Sequence, residues 1–109
     1  MIHLVVLLSL LGPTAAAPDD KSDPPPLKLS DDEQALLDLT NAERAKEKLP
    51  PLAANPLLFR AARAHSANMA KTGEMKHVLD GKDPGDRLDD VGYRWRQYGE
   101  NIAQSDGAP

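Results

Sequence analysis

A proline-rich, acidic stretch divides this chain and limits what can fold. Residues 18–30 read PDDKSDPPPLKLS, with three consecutive prolines at 24–26. Consecutive prolines favour the extended polyproline II conformation and prevent a helix. We therefore predict a Pro/Asp-rich linker over residues 17–29 and a folded domain over residues 30–109. A chain of 109 residues has room for one domain at most.

The N-terminus is strongly apolar. Residues 2–12 read IHLVVLLSLLG, and small residues follow up to Ala17. This pattern is typical of a secretory signal peptide, which we place at residues 1–16. The alternative is a buried N-terminal strand. A membrane span needs about 20 apolar residues, so we expect no transmembrane span after signal removal and a secreted, extracellular or periplasmic protein.

Charge and cysteine content exclude several classes of function. The net charge is −4, which gives no basic surface for nucleic acid, so we expect no nucleic-acid partner. The chain has no cysteine. This excludes a disulfide-stapled scaffold, a thiolate zinc site, a cysteine nucleophile and a lipoprotein anchor.

Three helices are predicted from their start and stop signals. Ser30 and Glu33 form a capping box that starts a helix at Asp31, and this helix should run to about Lys48. Asn55 caps a second helix, which begins at Pro56 and ends at Gly73. A third, short helix follows Asp83 and should run through Val91. The apolar stripe of the second helix comprises Leu58, Ala61, Ala62, His65 and Met69.

The tail YRWRQYGENIAQ (residues 93–104) is the best strand candidate after residue 30. Tyr93, Trp95 and Tyr98 raise its strand propensity. A single strand has no hydrogen-bonded ladder to join. Either the tail pairs with another molecule or, as we expect, its partner strands are encoded beyond residue 109.

The order of these features resembles the CAP/SCP superfamily of cysteine-rich secretory proteins, antigen 5 and pathogenesis-related proteins. Residues 36–52 carry Asn41 and Arg44 in an N-x-x-R arrangement, and the second helix is similar to the family's Ala-rich helix. His77 follows that helix, and the chain later reaches the signature GENI at residues 99–102. The resemblance covers about residues 33–104, and the absence of cysteine is typical of bacterial members.

The resemblance implies an α+β fold, an α–β–α sandwich of CAP type with a cleft lined by two histidines and two glutamates. In many members the two histidines bind zinc or another divalent ion. Here His77 matches the first histidine and Glu100 the first glutamate. No residue corresponds to the other pair. We therefore expect the N-terminal helical half of the fold plus one strand, truncated at the C-terminus.

His77 and Glu100 are the candidate catalytic residues. A loop histidine can act as general base or as metal ligand, and His77 is the candidate ligand for a divalent metal such as zinc. Glu100 could orient His77 or act as base toward a water. His65 lies on an apolar stripe, where we expect a hydrogen-bonded core residue. Asn41 and Arg44 are expected to bond to loop carbonyls or a carboxylate.

Two classes of function remain open. The first, which we favour, is a secreted binding or interaction module, without established turnover, whose cleft holds an unknown small molecule, lipid or peptide. The second is a metal-dependent hydrolase using His77 and Glu100, and a catalytic zinc normally needs three protein ligands. A non-functional fragment of a longer protein is the third possibility.

Overall fold

The computed structural model describes residues 26–105 in full and the backbone of residues 2–8. The predicted cleavage region of the signal peptide and residues 17–25 of the predicted linker lie outside the described residues. The described elements, in chain order, are β1 (Ile2–Leu8), α1 (Asp31–Lys46), α2 (Pro56–Thr72), α3 (Pro84–Asp90) and β2 (Gly99–Ser105).

Helix α1 begins at the predicted capping box. The Ser30 hydroxyl accepts a hydrogen bond from the Glu33 amide, and the Ser30 amide donates to the Glu33 carboxylate. The helix ends two residues before the predicted Lys48, because Lys48 adopts a left-handed φ of 57°. The amide of Leu49 then donates back to the carbonyl of Arg44, which closes a Schellman-type end.

Helix α2 is the centre of the core. Asn55 caps its start by accepting hydrogen bonds from two amides, and Gly73 ends it with a left-handed φ of 72°. All members of the predicted apolar stripe are buried, as expected. One buried cluster joins α2 to the following loop, and a second joins it to α3. The first cluster contains Ala62, Met69 and Leu79, with Ile102 packed against it; the second contains Leu58, Ala61, Leu88 and Tyr93.

The predicted strand is shorter than expected. Of the predicted segment 93–104, only the part that belongs to β2 lies in a ladder, and residues 93–98 form neither helix nor strand. Gly92 has a φ of 77° and the Tyr93 amide donates to the Leu88 carbonyl, so this segment begins as the end of α3. The Tyr93 side chain packs between α2 and α3. Tyr93 therefore serves helix packing, and its strand propensity is overridden.

Strand β2 has a partner within the chain, in contrast to the single strand predicted. It pairs antiparallel with β1, with Val5 opposite Ile102 and Leu7 opposite Glu100. Strand β1 also runs beside α2. This pairing corresponds to the alternative of an N-terminal strand. Removal of residues 1–16 during export would take β1 away from β2, so the pairing describes the chain before cleavage, and the cleavage itself stays a prediction.

Candidate functional site

Strand periodicity places Glu100 toward the core. Alternate residues of a strand share a face, so Glu100 and Ile102 point the same way. Ile102 packs against the cluster of α2 that contains Ala62 and Met69. The Glu100 side chain is correspondingly only 2% exposed. A carboxylate so deeply buried needs charged or hydrogen-bonding partners, because burial without them is costly.

His77 supplies the first partner from the loop that joins α2 to α3. Buried Leu79 anchors this loop, and a tight turn with left-handed Asp80 and Gly81 follows it. Nδ1 of His77 lies 2.9 Å from Oε1 of Glu100. The structure thus brings the two predicted site residues together, across 23 positions of sequence.

This contact fixes the tautomer of a neutral His77. A carboxylate oxygen accepts hydrogen bonds, so Nδ1 must carry the proton and donate it. Nε2 is then left with a lone pair. The His77 side chain is 54% exposed, and its Nε2 has no hydrogen-bond partner among the described residues. The site therefore presents one oriented imidazole nitrogen to solvent.

Arg87 supplies the second partner of Glu100, and the sequence analysis missed it. Its Nη2 donates to Oε2 of Glu100 at 2.5 Å. Its Nη1 donates to the carbonyl oxygens of His77 at 2.9 Å and Lys82 at 3.0 Å. The buried position of Glu100 would have signalled the need for a nearby cation. That position depends on contacts between β2 and α2 that the sequence does not reveal.

His65 is a buried core residue, as predicted, and it also borders the site. Its Nε2 donates to the carbonyl of Lys76 at 2.9 Å and lies 3.9 Å from Oε1 of Glu100. Burial lowers the pKa of His65, and the positive charge of Arg87 lowers it further. His65 is thus a neutral donor that holds the backbone next to His77.

Asn41 and Arg44 lie outside the site and fasten the turn after α1, in line with the structural role predicted. The Asn41 amide exchanges two hydrogen bonds with the backbone of Leu52, at 2.7 and 3.0 Å. Nε of Arg44 donates to the carbonyl of Pro50 at 2.8 Å. Both side chains satisfy backbone groups of a proline-containing turn, which has few partners of its own.

The described residues do not by themselves fit a metal centre. Within residues 26–105, no group of three histidine, aspartate or glutamate side chains could hold a metal ion. Both carboxylate oxygens of Glu100 are already engaged, one by His77 and the other by Arg87. His77 therefore offers one ligand, through Nε2, where a catalytic zinc takes three from protein.

Comparison with known proteins gives two matches. The model of the CAP family, described as the cysteine-rich secretory protein family, matches residues 37–109. The "Uncharacterized protein YkwD" of Bacillus subtilis (strain 168) is 32% identical over 99 residues, covering 90% of this chain. The chain spans only 38% of that relative's length. No solved structure gives a significant match.

Among the described residues, no helix is long and apolar enough to cross a membrane.

Proposed function

Since the chain belongs to the CAP family of cysteine-rich secretory proteins, we propose that it is part of an exported binding module. Its site is the surface around His77, with Glu100 behind it. CAP-family proteins are typically secreted, which agrees with the apolar N-terminus of this chain. The proposed ligand is a small molecule, lipid or peptide that donates a hydrogen bond to His77.

One observation carries this proposal: an exposed imidazole is held by a buried carboxylate. A surface histidine without a partner rotates freely and pays entropy to bind. The bond between Nδ1 and Glu100 removes much of this freedom before a ligand arrives. Such pre-organisation raises affinity mainly by lowering the cost of ordering. Nε2 is thus prepared to accept a hydrogen bond from a hydroxyl or amide group.

Glu100 acts as an orienting residue in this proposal. A general base must reach the proton it removes, directly or through one water. The Glu100 side chain is 2% exposed, with Oε1 bonded to His77 and Oε2 to Arg87. Neither oxygen is left to receive a proton from a ligand. The arrangement therefore leaves Nε2 of His77, and not Glu100, as the atom of this pair that can contact a ligand.

The loop that carries His77 also exposes apolar side chains. Met75 and Val78 lie within two residues of His77 and are 44% and 56% exposed. Ligand sites combine apolar side chains with a few polar groups that fix orientation, and this loop supplies both kinds. The favoured ligand consequently combines an apolar portion with a hydroxyl or amide donor.

Binding can be tested by NMR with the full chain and two probes, a capped apolar tripeptide amide and a monomeric lysophospholipid. We expect at least one probe to shift the resonances of residues 75–78 and 100. His77→Ala should weaken that binding about tenfold, which corresponds to one lost hydrogen bond. Lys71→Ala, an exposed change on α2, is the matched control and should bind normally. Shifts confined to other regions, or equal binding by His77→Ala, would refute the proposal.

A metal-dependent hydrolase is the second candidate. The bond between His77 and Glu100 favours it, because metal-binding histidines usually donate their other ring N–H to a carboxylate or carbonyl. In that case Nε2 of His77 would be one ligand of a divalent ion such as zinc. The other ligands would have to come from outside the described residues, so we derive no reaction step from this candidate.

A further inference from the structure

Arg87 joins the two halves of the site through one side chain. It lies on α3 and its side chain is 10% exposed. Nη1 bonds the main chain of His77 and of Lys82, and Nη2 bonds the carboxylate of Glu100. One guanidinium therefore connects the loop of His77 to strand β2. A lysine could not reproduce this, since its single nitrogen lacks the planar fork of arginine.

The contacts of Arg87 determine which way the carboxylate faces. The terminal torsion of a glutamate is broad and two-fold, so an unrestrained carboxylate turns readily. Because Arg87 holds Oε2, Oε1 is left facing Nδ1 of His77. The same guanidinium also holds the His77 carbonyl in place, and this helps to set the distance between the His77 ring and Glu100.

Burying the Arg87 side chain has a cost in the free energy of folding. Its Nε is buried and has no hydrogen-bond partner within the described part of the chain. Buried ion pairs often contribute little to stability compared with apolar residues of the same size. A buried arginine with an unsatisfied donor is therefore better explained by the geometry that it imposes than by the stability that it adds.

We propose that Arg87 is a positioning residue that fixes the orientation of the Glu100 carboxylate and the position of the His77 backbone, so that His77 keeps its proton on Nδ1. This inference rests on the proposed binding site at His77. It adds that the free lone pair on Nε2 of His77 depends on Arg87, a residue that makes no contact with the ligand.

The test is the tautomer of His77, read from long-range proton–nitrogen NMR spectra of the full chain without ligand, at a pH where the ring is neutral. We expect Nδ1 of His77 to carry the proton in nearly all wild-type molecules. In Arg87→Gln the population should move to a mixture of both tautomers. Arg96→Gln removes the same charge from an exposed site and should behave as wild type.

A structural role alone would give a different result. If Arg87→Gln remains folded and His77 keeps the wild-type tautomer, the proposal is wrong. The amide spectrum of the buried Ala61 and Leu58 on α2 reports whether the variant has folded. If Arg87→Gln unfolds, Arg87→Lys takes its place: an intermediate tautomer mixture supports the proposal, and an unchanged one refutes it. Because no ligand is present, this result is independent of whether either probe binds.

Discussion

Nδ1 of His77 lies 2.9 Å from Oε1 of Glu100, and this contact joins an exposed loop to a buried strand. The loop is free to contact a ligand, whereas the carboxylate is held by the core. Arg87 completes the arrangement from a third element. The site is thus built from three separate segments: the loop and β2 lie beside His65 of α2, and α3 packs on the N-terminal half of α2.

Removing the carboxylate charge should strongly destabilise the fold. In Glu100→Gln, Arg87 would remain buried without its counter-charge, a change that typically costs about 3–5 kcal/mol. Urea unfolding should show this loss. In the double variant Glu100→Gln/Arg87→Met the loss should be smaller than the sum of the two single losses. Additive losses would mean that the two side chains do not stabilise each other.

Stability should fall as the pH drops below the ordinary pKa of histidine, because of His65. Burial lowers the pKa of folded His65, so the unfolded chain binds its proton first. Stability is therefore complete above about pH 6.5 and declines as the pH falls toward the folded pKa, by at most about 1.4 kcal/mol per unit. Urea unfolding across this range should show a flatter profile in His65→Gln. An identical slope in that variant would contradict the assignment.

Two fully buried side chains should dominate the energy of packing. Met69 and Leu88 are 0% exposed, and they lie in different core clusters. Replacing either by alanine leaves a cavity and should cost about 2–5 kcal/mol. Leu39→Ala is the control, because Leu39 is 66% exposed and its truncation should change stability little. Comparable losses for Leu39 and Leu88 would contradict the described core.

Helix α1 should be held mainly by one ion pair. None of its residues is buried, and Glu33 forms two hydrogen bonds of 2.6 Å with Arg63 of α2. These bonds lower the pKa of Glu33. The contribution is therefore present above the ordinary pKa of glutamate and is lost as the pH falls through the lowered value. We expect faster amide exchange throughout α1 in Glu33→Gln, whereas α2 should be unaffected; unchanged exchange in α1 would show another anchor.

Zinc distinguishes the two proposed functions. With one available imidazole among residues 26–105, we expect calorimetry on the full chain at micromolar concentration to show no saturable zinc binding. Saturable binding that His77→Ala abolishes would instead support the metal-dependent candidate. Binding that is equal in both chains would place the metal elsewhere.

Local signals predicted the helices well. The capping residues Ser30, Asn55 and Asp83 all accept the expected amide hydrogen bonds. The buried stripe of α2 is also the predicted one, because it depends only on helical period. The family resemblance is likewise confirmed by the match over residues 37–109.

Contacts distant in sequence were harder to predict. The pairing of Val5 with Ile102 and the bond from Arg87 to Glu100 join residues whose neighbours carry no signal of the contact. Tyr93 shows the same limit, since its strand propensity is overridden by burial between two helices. His77 and Glu100 were selected through the resemblance, and their mutual contact depends on how the loop closes over β2.

The most direct test of this account is the proton position on neutral His77 in the wild-type chain. Long-range proton–nitrogen NMR spectra distinguish the two ring tautomers. The account predicts that Nδ1 carries the proton and Nε2 is the acceptor, because Oε1 of Glu100 lies 2.9 Å from Nδ1. A His77 ring protonated mainly on Nε2 would contradict it, since Oε1 of Glu100 would then receive no hydrogen bond from His77 and the site would have no oriented acceptor.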